Sequence, residues 1–283
     1  MSTNKVLIVG CGDIGIALGL RLAASGNEVW GLRRSTRLPA PLKTITADVS
    51  DVQTLGALIE LTFDYAVVIL TPDSATDEAY KSVYVDGLSN VLEQLKQARS
   101  VKRLLFVSST SVYHQSGDEW VDENSLVQPE NFSGKRLRQA ELVLANSGIN
   151  YSIIRFGGIY GPGRRRLIDQ VRAGVGCART PVSYTNRIHR DDCVGFLQHL
   201  IVLCQQGKEV DSLYVGVDCE PATMWDVRRW LAEKMNIDPS QLEPANTRRG
   251  NSKRCSNQRL LATGYQLRYP NYKLGYAEIL DSL

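Results

Sequence analysis

Gly10, Gly12 and Gly15 stand in G-x-G-x-x-G spacing, directly after the apolar run Lys5-Val6-Leu7-Ile8-Val9 and directly before a helical pattern. This spacing suits a pyrophosphate. The first glycine makes the tight turn, the second lets the backbone approach the phosphates, and the third lets the helix pack on the strand. The N–H groups of the first helical turn then face the anion. Asp13 and Ile14 therefore join Gly10, Gly12 and Gly15 in a candidate dinucleotide loop. After the next strand the chain reads Leu32-Arg33-Arg34-Ser35. An acidic residue about 20 residues past the glycines would bond a bare ribose 2′-hydroxyl. Two guanidinium groups suit a 2′-phosphate instead. The expected cofactor is NADP(H), with NAD(H) as the alternative. Asp48-Val49, after a third strand, is placed to touch the adenine.

The elements that must position these residues follow from periodicity. Lys5 to Gly10 reads as a strand buried on both faces and Ile14 to Ser25 as a helix closed by Gly26-Asn27. Further strands are predicted at Glu28 to Leu32, Lys43 to Thr46, Tyr65 to Leu70, Arg103 to Ser108 and Asn150 to Arg155. Leu88, Val91, Leu92 and Leu95 share one helix face, as do Leu137, Ala140 and Leu144. Alternating strands and helices imply an α/β fold, a Rossmann-type doubly wound parallel sheet. The alternation fades after about Arg155, where a helix near Asp191 to Leu203, a strand near Leu213 to Val217 and a helix from Thr223 to Lys234 follow. The expected organisation is a Rossmann domain over 1–160 and a smaller C-terminal substrate lobe over 161–283, with segments near 187–217 returning to the first domain.

Several segments together resemble the extended short-chain dehydrogenase/reductase superfamily, of the NAD-dependent epimerase/dehydratase type, over nearly the whole chain. They are the glycine loop, Val107-Ser108-Ser109-Thr110-Ser111-Val112-Tyr113, the Lys135 region and Ile154-Arg155-Phe156-Gly157-Gly158-Ile159-Tyr160-Gly161-Pro162-Gly163. Arg187-Ile188-His189-Arg190-Asp191-Asp192 looks like the family's IHVDD stretch. Ser252-Lys253-Arg254-Cys255-Ser256-Asn257, Leu260 and Tyr269-Pro270 look like the atypical YeeZ-like branch. The resemblance implies a serine, a tyrosine and a lysine at the reaction centre. The lysine holds the nicotinamide ribose and lowers the tyrosine's pKa, and the tyrosine moves the proton.

Ser109 matches the family serine and Lys135 the lysine, but Asn131 stands where the tyrosine belongs. An amide neither gives nor takes a proton near neutral pH. Three explanations stay open. Tyr113, Tyr84 or Asp86 replaces the tyrosine; or the chemistry needs no strong proton relay; or the chain binds NADP(H) without turnover, as a sensor or regulatory protein. Leu70-Thr71-Pro72-Asp73 replaces the family's alanine-rich turn, with Leu70 and Thr71 at cofactor positions. The resemblance also implies a homodimer through Ala79 to Ala98 and Ser133 to Asn146.

The second half carries Arg164-Arg165-Arg166, Arg172, Arg179, Arg187, Arg190, Arg248-Arg249 and Lys253-Arg254. Arginine forks meet phosphate oxygens two at a time, so an anionic, sugar-like or nucleotide-sugar substrate is expected, with Arg164 and Arg254 as candidate contacts. A net charge of +3 argues against a nucleic-acid partner. No apolar run is long enough to span a bilayer, and Met1 to Lys5 lacks a signal-peptide pattern, so no membrane partner and a cytoplasmic location are expected. The 6 cysteines and 3 histidines lack metal-ligand spacing, so no metal is expected.

Overall fold

The computed structural model describes residues 3–244 and 252–283. The chain begins with β1 (Lys5–Val9), α1 (Asp13–Ala24), β2 (Glu28–Arg33), β3 (Lys43–Thr46) and β4 (Tyr65–Val68). It continues with α2 (Leu88–Ala98), β5 (Arg103–Ser109), α3 (Phe132–Ala145), β6 (Tyr151–Phe156), α4 (Arg190–Gln205) and β7 (Leu213–Gly216). These strands form one seven-stranded parallel sheet in the order β7-β6-β5-β4-β1-β2-β3. The expected doubly wound α/β fold is present.

The apolar run of β1 forms a strand because both its faces are covered. Val6, Leu7, Ile8 and Val9 are all fully buried, as parallel strands between helical layers must be. From β1 the chain moves outward through β2 and β3, and β4 then returns to the other side of β1, where Val9 is in register with Val68. Strand order reverses there, and the crevice at the strands' carboxyl ends is where such sheets bind ligands. The helical faces read from spacing are buried as well. Leu88, Val91, Leu92 and Leu95 are at most 3% exposed, and Leu137, Ala140 and Leu144 at most 4%.

The chain forms two compact units. The first comprises Met1–Val112, Val127–Arg155 and Val194–Tyr214, and the second Tyr113–Leu126, Phe156–Cys193 and Val215–Leu283. The division is thus interleaved: the sequence suggests a boundary at 160 with segments near 187–217 returning to the first domain, and in the structure Val194–Tyr214 lies in the first unit while Tyr113–Leu126 lies in the second. The reason is topological: parallel neighbours need long crossovers, and those before α3 and α4 carry residues of the second unit.

The second unit has its own core. Tyr160, Ile168, Val171, Val227, Leu231, Tyr272, Tyr276 and Ile279 pack together around α5 (Met224–Lys234) and α6 (Tyr272–Asp281). Its Asp192 is fully buried. The carboxylate accepts hydrogen bonds from the Tyr265 hydroxyl at 3.1 Å, the Arg268 amide at 2.8 Å and the Tyr269 amide at 2.9 Å. The IHVDD-like stretch is therefore tied to the Tyr269-Pro270 segment through one acidic side chain. Among the described residues no helix is long and apolar enough to cross a membrane.

Candidate functional site

Gly10 follows β1 with a φ of +76°, a conformation that glycine adopts at no steric cost. A β-carbon on it would also strike the Ile69 carbonyl just beyond β4. The Gly10 and Cys11 amides both donate to the Leu32 carbonyl, at 3.1 and 3.0 Å, pinning the loop to the end of β2. Within the first turns of α1 the Ile16 amide donates to Gly12 O at 2.7 Å. The N–H groups of the preceding turn, Ile14 and Gly15 among them, have no intrahelical acceptor. Gly15 supplies the close packing expected of the third glycine, since a β-carbon there would lie 3.1 Å from Ile8 Cγ2. Cys11 is 1% exposed, and burial pushes its thiol up to about 11, which makes it an inert packing group.

A cavity of about 540 Å³ opens over this loop within the first unit. It gathers Gly10, Gly12, Arg33, Arg34, Asp48, Val49, Leu70 and Thr71 on one lining. Asp13, Ile14 and Gly15 form the first turn of α1 and do not themselves line the cavity. Asp48 accepts hydrogen bonds from the Ser50 amide at 2.9 Å and hydroxyl at 2.6 Å. These bonds hold its carboxyl below the usual range. Val49 is fixed through its carbonyl, which accepts from Asn90 Nδ2 at 2.9 Å.

Two cavity features lie beyond the sequence reading. Asp73 meets Arg34 in a two-pronged ion pair. Ser82 and Val83, which also line the cavity, belong to a π-helical stretch over Lys81–Gly87. Such wide turns are rare and concentrate at functional sites. Gly87 marks this one, because a β-carbon there would lie 2.7 Å from Val49 Cγ2.

The residues implied in proton transfer have varied surroundings. Ser109 ends β5, and its Oγ accepts the Ser111 amide at 3.1 Å, leaving its own O–H as a donor. Lys135 is exposed on the first turn of α3. Asn131 is the N-cap of α3, with its side-chain oxygen accepting from Gly134 N at 2.7 Å and Ser133 Oγ at 2.8 Å. The residue in the tyrosine's place thus starts the helix that carries Lys135. Asn131→Ala should cost about 1 kcal/mol, within the 0.5–2 kcal/mol of a lost N-cap. Urea unfolding with no change in midpoint would remove the cap from the account.

Tyr84 donates to the Leu70 carbonyl at 3.1 Å, and burial raises its pKa well beyond the ordinary phenol, against a role as base. Asp86 is paired with Lys81 on the surface at 2.9 Å. Tyr113 is fully buried and donates to the Asp122 carbonyl at 2.7 Å. That is the setting of a packed anchor.

The candidate substrate contacts lie on different elements of the second unit. Arg164 is exposed in the turn before the helix Arg166–Arg172. Arg254 lies in the strand Lys253–Cys255 and donates from Nε and a terminal nitrogen to the Asp118 carbonyl, at 2.9 and 2.7 Å. The Trp120 and Tyr184 rings lie 5.1 and 5.2 Å from its guanidinium. Arg248 and Arg249 lie outside the described residues. No group of three or more potential metal ligands occurs among the described residues.

A family model described as NAD(P)H-binding matches residues 10–191. Protein YeeZ of Escherichia coli K12 is 28% identical over 233 residues, covering 77% of this chain and 78% of the relative. A structure from Methylobacillus flagellatus, provisionally named an NAD-dependent epimerase/dehydratase, is 40% identical with a TM-score of 0.83, covering 99% of each chain. The UDP-glucose 4-epimerase of Thermus thermophilus, in complex with NAD, shares the fold at 20% identity and a TM-score of 0.80 over 98% of each chain. With its glycine loop at the switch point of a seven-stranded parallel sheet, the chain belongs to the NAD(P)H-binding family, as a Rossmann-type protein of the NAD-dependent epimerase/dehydratase kind.

Proposed function

We propose that the chain is an NADP(H)-dependent enzyme of the epimerase, dehydratase or reductase type, acting on an anionic, sugar-like small molecule. The observation that carries this reading is the cavity in which the glycine loop and the Arg33-Arg34 pair share one lining. Gly10, Gly12 and the first turn of α1 would hold the pyrophosphate, Arg33 and Arg34 the 2′-phosphate, and Asp48 and Val49 the adenosine. The nicotinamide, when bound, supplies a hydride acceptor or donor.

The chain's own groups orient the reaction. Because the Ser109 oxygen already accepts an amide, its hydroxyl proton is available to a substrate oxygen. The Lys135 ammonium holds ribose hydroxyls, as the family likeness implies. The Arg164 region supplies positive charge for the substrate anion, and the cytoplasm is the expected compartment.

A second reading is favoured by one observation. Asn131 is consumed as a helix cap, so the family's proton-transfer position holds no acid or base. On that reading the chain binds NADP(H) as a sensor and turns nothing over.

Fluorescence titration tests the cofactor assignment. NADPH should bind about 10- to 100-fold more tightly than NADH, the worth of one charge-assisted contact at about 1.5–3 kcal/mol. Equal affinities would retire the NADP(H) preference. Binding of neither would retire the enzyme. With NADPH bound, absorbance change on adding nucleotide-linked sugars separates turnover from sensing.

A further inference from the structure

Arg34 does not face an empty cavity. Its two terminal nitrogens each lie 2.5 Å from a different oxygen of Asp73, in the fork-to-fork geometry of a guanidinium on a carboxylate. Both side chains line the cavity and are more than half exposed, at 56% and 68%. Arg33, on the same lining, has no acidic partner among the described residues. The carboxylate comes from Leu70-Thr71-Pro72-Asp73, the turn after β4 that departs from the family pattern.

A guanidinium fork receives a carboxylate and a phosphate through the same two parallel N–H bonds. Asp73 therefore takes on Arg34 the place that two phosphate oxygens of a ligand would take. We propose that Asp73 is a specificity-determining residue, a latch that competes with the cofactor's 2′-phosphate for Arg34 and so restrains the chain's preference for NADP(H) over NAD(H). The proposal rests on the reading of the cavity as a cofactor site.

The competition persists at neutral pH, because Arg34 holds the Asp73 carboxyl below its usual range. It is also yielding. Exposed ion pairs are weak and screened, so a dianionic phosphate displaces the carboxylate, which swings to solvent. A bare ribose has no group to displace it, and the pair stays closed. Asp73 thus leaves ligands without a 2′-phosphate unaffected and taxes those that carry one.

The test is calorimetric titration of wild type and Asp73→Asn at fixed ionic strength with NADPH, NADH, adenosine 2′,5′-bisphosphate and 5′-AMP. The last two differ only in the 2′-phosphate. Asp73→Asn should tighten NADPH and the bisphosphate about fivefold, the scale of an exposed pair. NADH and 5′-AMP should stay within about twofold of wild type, and the gain should vanish in an Arg34→Gln background. An equal shift for all four ligands, no shift, or a gain that survives Arg34→Gln overturns the latch.

The two readings fail separately. A wild type without NADPH preference that acquires one on Asp73→Asn would retire the proposed cofactor preference and keep the latch. A wild type that prefers NADPH and is unchanged by Asp73→Asn would do the reverse. No binding of any ligand by either protein retires both.

Discussion

Glu141→Gln is expected to remove about 3–5 kcal/mol of stability, the cost of leaving a buried charge without its partner. Arg155 and Glu141 have side chains only 2% and 0% exposed. Arg155 Nε donates to one carboxylate oxygen at 2.9 Å and a terminal nitrogen to the other at 2.7 Å. The Ser108 hydroxyl adds a bond of 2.7 Å and Arg138 one of 3.1 Å. Glutamine keeps the shape and one acceptor but loses the charge, and the Arg155 guanidinium cannot reach water without opening the core. Urea unfolding of the two proteins at equal m-value reads the difference directly. A loss under about 1 kcal/mol would show that the site relaxes or hydrates, contrary to the cost expected of a buried pair. Glu141→Leu combined with Arg155→Met should recover much of the stability, because apolar replacement of both partners strands nothing. The same cluster joins β5, which ends in Ser109, to α3, which carries Lys135, so its loss should also weaken cofactor binding.

The second large effect separates binding from folding. Gly12→Ala should leave the unfolding midpoint close to wild type yet weaken NADPH binding at least about tenfold. Gly12 has a φ of −92°, and a β-carbon on it would approach only Gly10 O, at 4.0 Å. The protein tolerates the methyl group; a pyrophosphate that must approach the backbone does not. Gly10→Ala should fail on both counts, since it adds strain of about 1–3 kcal/mol at positive φ to a collision with the Ile69 carbonyl. Thermal unfolding and NADPH titration of the pair give the comparison. Gly12→Ala with wild-type affinity would move the pyrophosphate away from this loop.

Local rules made much of the first unit legible. The β1 run, the helix faces and the glycine spacing each depend on residues close in the chain, and the family likeness drawn from them holds. What stayed hidden depends on distant partners. Nothing near Arg34 in sequence announces Asp73, because the two meet only when β4 returns beside β1. Asn131 reads as a missing tyrosine when compared with relatives. Its other meaning, a cap accepting from the amide three residues on, needs only the local pattern of an Asx residue before a helix. The α6 helix carries a local signal as well, since Asn271 caps it and Tyr272, Gly275, Tyr276 and Ile279 recur at helical spacing. The π-helical stretch has no such signature; its closest constraint is tertiary, since a β-carbon on Gly87 would lie 2.7 Å from Val49 Cγ2.

The interleaving of the two units also bears on how such a chain can change over generations. Three stretches of the second unit alternate with three of the first along the sequence. Joining one gene end to another cannot exchange either unit whole, because no single junction separates them. A change confined to the second unit therefore arises by substitution, or by insertion within its own segments, while the first unit is inherited around it.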